Sequence, residues 1–400
     1  MFAQALSGIK VLDIGHHIAG PYCARLLADF GAEVIKVERP EGGDPSRKSG
    51  PFPNDIPDQE ASGLFFYLNT NKLGITLNLK TDTGIKIFHE LVKKADVLVE
   101  NFSPSVMSSL GLSHDNLKAT NRSLVMTSIS NFGQSGPYRD YKATDIVLQS
   151  LGGWVRSRGE TTREPVRAAG ALRMVEYIGG IYAATGTMTA LTHKVGTGMG
   201  QHVEVSLVEA VSTMNCYPVA MSTFPRNTGW SKMRFVFTPS VEECKDGYVG
   251  INTLTGAHWR DLCALMGMPD WAENPDYNTL TARLRSRGEV YKRMNPWLME
   301  RTKEKIFAEG RDWRVPVAMV YNTEDILKSP QYQARDYFVE VEHPALGQIT
   351  QPGASLKMSQ TPWQIKRPAP LLGEHNVEVY GKHLGYDKVD LVRLRQGGII

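Results

Sequence analysis

Short apolar runs and segments with helical spacing alternate through the first 130 residues of the chain. Residues 9–14 (IKVLDI) form an apolar run that predicts a buried strand. The segment from Pro21 to Gly31 has helical periodicity, with proline near its start and glycine at its end, as is typical of helix termini. Residues 33–38 (EVIKVE) predict the next strand. The start of the chain therefore predicts a β-α-β unit.

The same alternation continues further along the chain. Residues 82–95 predict an amphipathic helix, and residues 96–100 and 123–130 predict strands. Alternating elements of this kind predict an α/β fold with a parallel, doubly wound, Rossmann-like sheet. Ligands bind such sheets at the carboxyl ends of the strands, so we expect the functional residues in the loops that follow them.

The pattern changes after residue 145 and predicts a second, smaller domain. Two helices with small residues on one face and a strand are predicted between residues 145 and 215. A hairpin with its turn at Asp246-Gly247 follows, and then helices rich in Trp and Arg. We therefore predict a large domain over residues 1–224, a small α+β domain over residues 225–330, and a return to the large domain over residues 331–400.

The amino-acid composition argues against several classes of function. The net charge is +3, and the basic residues are scattered, which disfavours binding to nucleic acid or to a membrane surface. The four cysteines form no CxxC pair, so we expect no metal site and no redox motif. The chain starts without the features of a signal peptide, and no apolar run reaches the roughly 18 residues of a membrane span. We expect a cytoplasmic protein.

Two loops carry candidate binding chemistry. The loop GHHIAGP after the first predicted strand lacks the GxGxxG spacing, and the side chains of residues 16–18 would obstruct a pyrophosphate. A nicotinamide-dependent dehydrogenase is therefore disfavoured. Arg39 and Arg47 bracket a glycine-rich loop after the second strand. Guanidinium groups beside such a loop suit phosphate binding, although loops of this composition are more often solvated surface.

Glu176 is a carboxylate that follows a mostly apolar stretch and precedes two glycines. One interpretation is a nucleophile or base whose pKa is raised by burial. The other is an ordinary glutamate at a helix start, stabilised by the helix dipole. The spacing alone favours the second.

Long motifs spread over nearly the whole chain closely resemble the class III CoA-transferase family, also called the carnitine-CoA-transferase/formyl-CoA-transferase family. They include LSGIKVLDIGHHIAGPYCARLLADFGAEVIKVERPEGGDPSR, NTNKLGITLNLKTDTG, ADVLVENFSPSVMSSLGL and TPWQIKRPAPLLGEH. The resemblance implies an interlocked dimer that moves CoA from an acyl-CoA to a free carboxylate, with no permanently bound cofactor. The implied CoA site comprises His17, Ile18, Arg39, Leu77, Asn78, Leu79, Lys80, Asn101, Phe102 and Ser103.

The resemblance also implies a catalytic Asp, which this chain replaces. Counting back from Gly186, the family position falls on Glu176, whereas counting forward from Gly170 it is one residue off. Ser109 and Asn131 depart from the family pattern as well. Two hypotheses stay open: Glu176 is a working nucleophile, or the chain is the non-nucleophilic subunit of a heteromer such as succinyl-CoA:benzylsuccinate CoA-transferase. The three departures together favour the second slightly.

Two further alternatives come from the same resemblance. An α-methylacyl-CoA racemase needs a His base in a GHD-like segment, and residues 142–145 (KATD) lack that His. A catalytically silent subunit that binds CoA or acts as a scaffold is the other alternative.

Overall fold

The computed structural model describes residues 4–155, 173–216, 220 and 238–400. They divide into two compact units. The first holds the described residues up to 220 and residues 336–400, and the second holds residues 238–335. The predicted boundary at residue 224 lies outside the described residues, and the domain limits stay a prediction.

The first unit is built on a parallel sheet that, within the described residues, has six strands. They are β1 (Lys10–Asp13), β2 (Glu33–Glu38), β3 (Lys72–Thr76), β4 (Val97–Glu100), β5 (Val125–Ser130) and β6 (His202–Ser206). Their order is β3-β2-β1-β4-β5-β6, and each neighbouring pair is parallel. The strand order reverses between β1 and β4, so the carboxyl ends of these strands form a topological switch point. The predicted parallel α/β sheet is confirmed.

Helices cover both faces of this sheet. They are α1 (Ala19–Asp29), α2 (Gly63–Asn69), α3 (Asp82–Lys94), α4 (Pro104–Ser109), α5 (His114–Thr120), α6 (Asp145–Leu151), α7 (Met174–Thr197) and α8 (Leu207–Ser212). The predicted helix of residues 82–95 is α3, which Thr81 caps by accepting a hydrogen bond from the Gly84 N–H at 3.0 Å. Lys93 and Lys94 in its last turn complement the helix dipole.

The strands alternate their buried side chains between two cores. Val11 and Val97 join the core beneath α1 and α7, whereas Leu12 and Leu98 join the core beneath α3 and α5. Burial on both faces explains why these strands are continuous apolar runs in the sequence. The structure begins α1 two residues before Pro21 and shortens the first predicted strand by one residue at each end.

Glycines let α7 approach its neighbours closely. A Cβ atom on Gly179 would lie 2.1 Å from Leu207 Cδ2, and one on Gly180 would lie 3.0 Å from the Ala19 carbonyl oxygen. These contacts explain why a long helix tolerates glycines that lower helix propensity. Helix α7 thus packs tightly against α1 and α8, which fixes where its first turn lies.

The second unit begins with the predicted hairpin. Strands β7 (Val241–Cys244) and β8 (Gly247–Ile251) are antiparallel, and β9 (Val317–Met319) pairs with β8, an addition that the sequence did not predict. The helices of this unit are α9 (Gly256–Leu265), α10 (Pro269–Glu273), α11 (Leu280–Arg285), α12 (Arg287–Met299), α13 (Lys303–Asp312), α14 (Thr323–Lys328) and α15 (Pro330–Ala334). Its core includes Trp259 and Trp271, whose ring centroids lie 5.0 Å apart.

Residues 336–400 belong to the first unit. They form the antiparallel pair β10 (Phe338–His343) and β11 (Gly347–Pro352), a π-helix (Val377–His383) and α16 (Lys388–Gln396). Two contacts tie them to β3: the Gly74 N–H donates to His375 Nδ1 at 3.1 Å, and the Tyr380 hydroxyl donates to the Thr76 carbonyl oxygen at 2.6 Å. Among the described residues, no helix is long and apolar enough to cross a membrane.

Candidate active site

The loop after β1 is held in shape by side chains from neighbouring strands. Asn101, which follows β4, accepts a hydrogen bond from the His16 N–H at 2.6 Å and donates to the His16 carbonyl oxygen at 2.8 Å. The His17 N–H donates to Asp44 Oδ1 at 3.0 Å. His17 has a φ of 58°, in the left-handed region, so these bonds maintain a conformation that a free histidine rarely adopts.

Buried ion pairs lie beneath this loop. Lys72 Nζ lies 2.8 Å from Asp13 Oδ2, and Lys36 Nζ lies 2.7 Å from Asp44 Oδ2, with all four side chains fully buried. Asp13 also accepts the Gly15 N–H at 2.9 Å. Burial alone would raise the pKa of Asp44, but the Lys36 ammonium group and its hydrogen bonds hold that pKa well below its usual range. The pairs fix the loop because moving it would leave a buried charge unpaired.

A cleft of about 780 Å³ opens at the carboxyl ends of β1 to β4. Its volume falls in the range typical of small-molecule sites. Six of the residues predicted to bind CoA line it: Arg39, Leu77, Asn78, Leu79, Lys80 and Phe102. Arg39 and Lys80 are exposed cations, suited to phosphate groups. The sequence did not predict His16, Val106, Leu110 and Gly397–Gly398 as lining residues.

A smaller cavity of about 170 Å³ lies beside the cleft, and Phe102 lines both. The other predicted residues that line it are His17, Asn101, Ser103 and Glu176. The sequence did not single out Ser130, Arg139, Tyr141 and Leu207, which also line it. The structure thus gathers the predicted site residues, except Ile18 and Arg47, around two neighbouring cavities at the switch point.

Glu176 is the third residue of α7 and lines the smaller cavity. Its Oε2 is buried and has no hydrogen-bond partner among the described residues. Burial raises the pKa of the Glu176 carboxyl; the charge on Arg173 opposes this shift and that on Asp145 adds to it. Glu176 thus lies in the first turn of a helix and also lines a cavity, and its role stays a prediction.

Two predicted ligands line neither cavity. The Ile18 side chain is buried at the start of α1. The Arg47 guanidinium is buried and donates to both carboxylate oxygens of Glu38, at 2.7 and 2.8 Å, to Glu60 at 2.8 Å and to the Pro370 carbonyl oxygen at 3.0 Å. The structure therefore corrects the expectation that Arg47 binds phosphate, because its donors are already engaged within the fold.

Glu100, the last residue of β4, is a buried carboxylate that sequence reasoning missed. It accepts a hydrogen bond from the Phe102 N–H at 2.7 Å and another from the Ser128 hydroxyl, and His202 Nε2 lies 2.8 Å from Ser128 Oγ. Burial raises the pKa of Glu100 to about 7. The signal in the sequence that could have indicated Glu100 is an acidic residue at the end of an apolar strand. In the structure this residue lies beside the loop that carries Phe102, which lines both cavities.

Comparison with known proteins identifies the family. The model of CoA-transferase family III matches residues 6–376. The chain belongs to this family. The resemblance seen in the motifs is thereby confirmed. Among the described residues of this CoA-transferase family III member, no cluster of three or more His, Cys, Asp or Glu side chains could hold a metal ion.

Relatives of this family member carry transferase names. The chain is 32% identical over 380 residues to the succinate–glutarate CoA-transferase of Agrobacterium fabrum, covering 94% of each chain. It is 31% identical to the succinyl-CoA–L-malate CoA-transferase alpha subunit of Chloroflexus aurantiacus, covering 99% of this chain and 92% of that one. The crystal structure of a CAIB/BAIF family protein from Brucella suis superposes with a TM-score of 0.84 at 26% identity, covering 95% of this chain and all of the other.

Proposed function

We propose that this protein transfers CoA from an acyl-CoA thioester to a free carboxylate, with Glu176 as the nucleophile. The observation that carries the proposal is the buried, unpartnered Oε2 of Glu176 among the described residues, in a cavity adjoining a cleft large enough for a cofactor. A carboxylate without hydrogen-bond donors keeps its electron pairs available for attack. The transferase names of the relatives support the reaction class.

The proposed reaction has four steps and needs no external proton. A Glu176 carboxylate oxygen attacks the thioester carbonyl, the C–S bond breaks, and CoA leaves as a thiolate from a mixed anhydride. The thiolate then attacks the Glu176 carbonyl of that anhydride, which releases the donor acid and leaves an enzyme–CoA thioester. The acceptor carboxylate attacks the carbonyl of this thioester, the C–S bond breaks, and CoA leaves again as a thiolate from a second mixed anhydride. The thiolate finally attacks the acceptor carbonyl, which yields the new acyl-CoA and restores Glu176.

The remaining residues bind and orient CoA in this proposal. Arg39 and Lys80 at the exposed rim of the cleft take its phosphate groups. Phe102 lines both cavities, so the thioester end reaches Glu176 past this side chain. Succinyl-CoA is the first donor to test, because the named relatives act on succinyl-CoA or succinate.

A second candidate is that the chain is the non-nucleophilic subunit of a heteromer, within an interlocked dimer. Glu in place of the family Asp and a relative named as an alpha subunit favour it. In that case the chain would supply the CoA cleft and a paralogous partner would supply the nucleophile.

Intact-protein mass spectrometry separates the two candidates. The purified chain is incubated with a panel of acyl-CoAs, succinyl-CoA included, and the adduct is trapped with hydroxylamine or borohydride. A CoA-sized adduct before trapping, or a trapped modification without CoA that maps to Glu176, supports the nucleophile when it is absent in Glu176→Gln. The matched control is Glu209→Gln, since Glu209 is an exposed glutamate in the first turn of α8. No adduct on this chain, with transfer appearing only when a paralogue is added, would move the nucleophile to the partner.

A further inference from the structure

The segment that follows α16, residues 397–400, forms part of the wall of the large cleft. Gly397 and Gly398 line this cleft together with residues that follow the first strands of the sheet. The family match ends at residue 376, so membership of the family assigns no role to this segment. Its place in the cleft wall therefore needs an explanation from the structure itself.

Hydrogen bonds tie this segment to the loop after β3. The Asn78 N–H donates to the Ile399 carbonyl oxygen at 2.8 Å, and Asn78 Nδ2 donates to the Gly398 carbonyl oxygen at 3.3 Å. Asn78 Oδ1 in turn accepts the N–H of Lys80, the exposed cation at the rim of the cleft, at 3.1 Å. Asn78 therefore joins the segment to the loop of residues 77–80, all four of which line the cleft.

Apolar side chains anchor the segment to the body of the first unit. Leu394, Ile399 and Ile400 pack against the core beneath α3 and α5. The Ile399 N–H donates to the Leu394 carbonyl oxygen at 2.9 Å, which closes the end of α16. Just before this helix, the Tyr386 hydroxyl donates to Glu90 Oε2 at 3.1 Å. A wall that is already fixed in place loses little entropy when a ligand binds against it.

The strand order places this wall at the end of the cleft that is far from Glu176. Asn78 follows β3 and Phe102 follows β4, and the order β3-β2-β1-β4 separates them by three strand spacings. At about 4.8 Å each, these spacings amount to roughly 14 Å. Phe102 adjoins the cavity of Glu176, where the thioester reacts in the proposed function. Since CoA carries its thioester and its adenosine at opposite ends, the adenosine falls beside Asn78.

Gly398 leaves open space beside the cleft. Its φ is 64°, in the left-handed region that glycine adopts without steric cost. A Cβ atom added there would meet no described atom within 4 Å, so the packing of the chain leaves this space unfilled. A backbone without side chains allows a flat ring to approach closely. Val37 and Leu79 line the same cleft and offer apolar surface to the faces of such a ring.

We propose that residues 397–400 complete a subsite for the adenosine end of CoA, with the backbone at Gly398 as its wall. The proposal rests on the proposed function, in that the cleft takes CoA with its thioester towards Glu176. Gly398 then determines how closely the adenine ring approaches. Ile399 is a positioning residue, because it acts through its hydrogen bond with the Asn78 N–H.

Filling the space at Gly398 tests the proposal. Asparagine tolerates the left-handed region, so Gly398→Asn adds a side chain with little backbone strain. Calorimetric titration of the full-length chain compares CoA, pantetheine, and adenosine 3′,5′-bisphosphate, the nucleotide portion of CoA. Gly398→Asn should weaken the binding of CoA and of the bisphosphate about tenfold or more through overpacking, and leave pantetheine binding unchanged. The matched control is Gly385→Asn, at an exposed glycine outside the cleft lining with φ of 85° and the same open space.

Hydrogen exchange on the wild type keeps the test independent of any variant. Saturating bisphosphate should slow amide exchange severalfold in residues 78–80 and 397–400, and pantetheine should not. Both results support the subsite even when no CoA transfer is seen, in which case only the proposed function fails. The subsite is overturned, whether or not the chain transfers CoA, by any one of three results. These are no bisphosphate binding by the wild type, equal bisphosphate binding by Gly398→Asn, and unchanged exchange in residues 397–400.

Discussion

Asp145 Oδ1 accepts a hydrogen bond from the backbone N–H of Val175 at 3.2 Å. This bond joins the first residue of α6 to the second residue of α7. Helix α7 starts after Arg173, a residue with left-handed φ of 45° that provides no side-chain cap. The first turn of a helix has backbone N–H groups without acceptors inside the helix. Asp145, which lies outside α7, therefore supplies a hydrogen-bond acceptor for one of them. Since Val175 precedes Glu176, this contact positions the candidate nucleophile.

The charge on Asp145 is expected to shift the pH dependence of transfer. Asp145 raises the pKa of Glu176, so Asp145→Asn should lower that pKa while keeping an acceptor for the Val175 N–H. Transfer needs the ionised carboxylate, so the acidic limb of the kcat/KM profile should move to lower pH. A pH–rate profile of both proteins measures this shift. The exposed control Asp82→Asn should leave the acidic limb unchanged. An unchanged limb in Asp145→Asn as well would contradict the electrostatic coupling between Asp145 and Glu176.

Glu100 is expected to make stability depend on pH near neutrality. Its pKa is raised from 4.5 to about 7 in the folded state, so the folded protein holds a proton that the unfolded chain releases. Stability is therefore lost as pH rises from about 4.5 to 7, by an amount on the order of 3 kcal/mol. Glu100→Gln should gain in stability relative to the wild type between pH 5 and pH 8, measured by urea unfolding. The exposed control Glu209→Gln should show no such trend.

Lys72 is expected to contribute strongly to stability because it is the nearer of two cations to the buried Asp13 carboxylate. Lys72→Met removes the cation at 2.8 Å and leaves Asp13 with Lys36 at 3.8 Å, so it should cost about 3–5 kcal/mol in the free energy of unfolding. The exposed pair of Lys328 and Glu324 is the comparison, and Lys328→Met should cost about 0–1 kcal/mol. Urea unfolding measures both variants. Similar losses in the two would show that Asp13 is stabilised by other means.

Arg39 is expected to bind the phosphate groups of CoA. Arg39→Gln should weaken CoA binding about 10-fold or more, since hydrogen bonds to charged groups are worth about 1.5–3 kcal/mol. Binding of pantetheine, which lacks the phosphates, should be unaffected. Calorimetric titration of the two ligands measures the difference. Arg122→Gln, which changes an exposed arginine outside the cleft lining, is the control and should bind both ligands as the wild type does. If Arg39→Gln weakened the binding of CoA and pantetheine equally, a phosphate contact would be excluded.

Two helical glycines are expected to respond oppositely to alanine. A Cβ atom on Gly84 would lie 1.9 Å from the carbonyl oxygen of Asn78, so Gly84→Ala should cost about 1–3 kcal/mol by overpacking. It should also weaken CoA binding, because Asn78 lines the cleft. Gly196 in α7 has open space around its Cα, so Gly196→Ala should stabilise by about 0.5–1 kcal/mol through helix propensity. Thermal unfolding and CoA titration are measured for both variants. If Gly84→Ala stabilised the protein, the predicted clash between the new Cβ atom and the Asn78 carbonyl oxygen would be contradicted.

Local sequence patterns predicted the strands and helices around the site better than they predicted which side chains line it. The apolar runs that became β1, β2, β4 and β5 were visible because these strands are buried on both faces. Helix boundaries moved by a few residues, since the local signals for helix termini are weak. Arg39 and Arg47 looked alike in the sequence, yet one lies exposed on the cleft and the other lies buried against Glu38.

The sequence by itself determined the parallel α/β sheet, the edge of the sheet at which the two cavities lie and, through its motifs, the family. Periodicity and turn residues act over a few positions, so they can be read along the chain. Only the tertiary structure decided that Arg47 is engaged by a carbonyl group 323 residues away, and that Arg139 and Glu176 line one cavity. Burial and partners of a charged side chain depend on contacts between distant segments, and these contacts set whether its charge stabilises the fold or is available to a ligand.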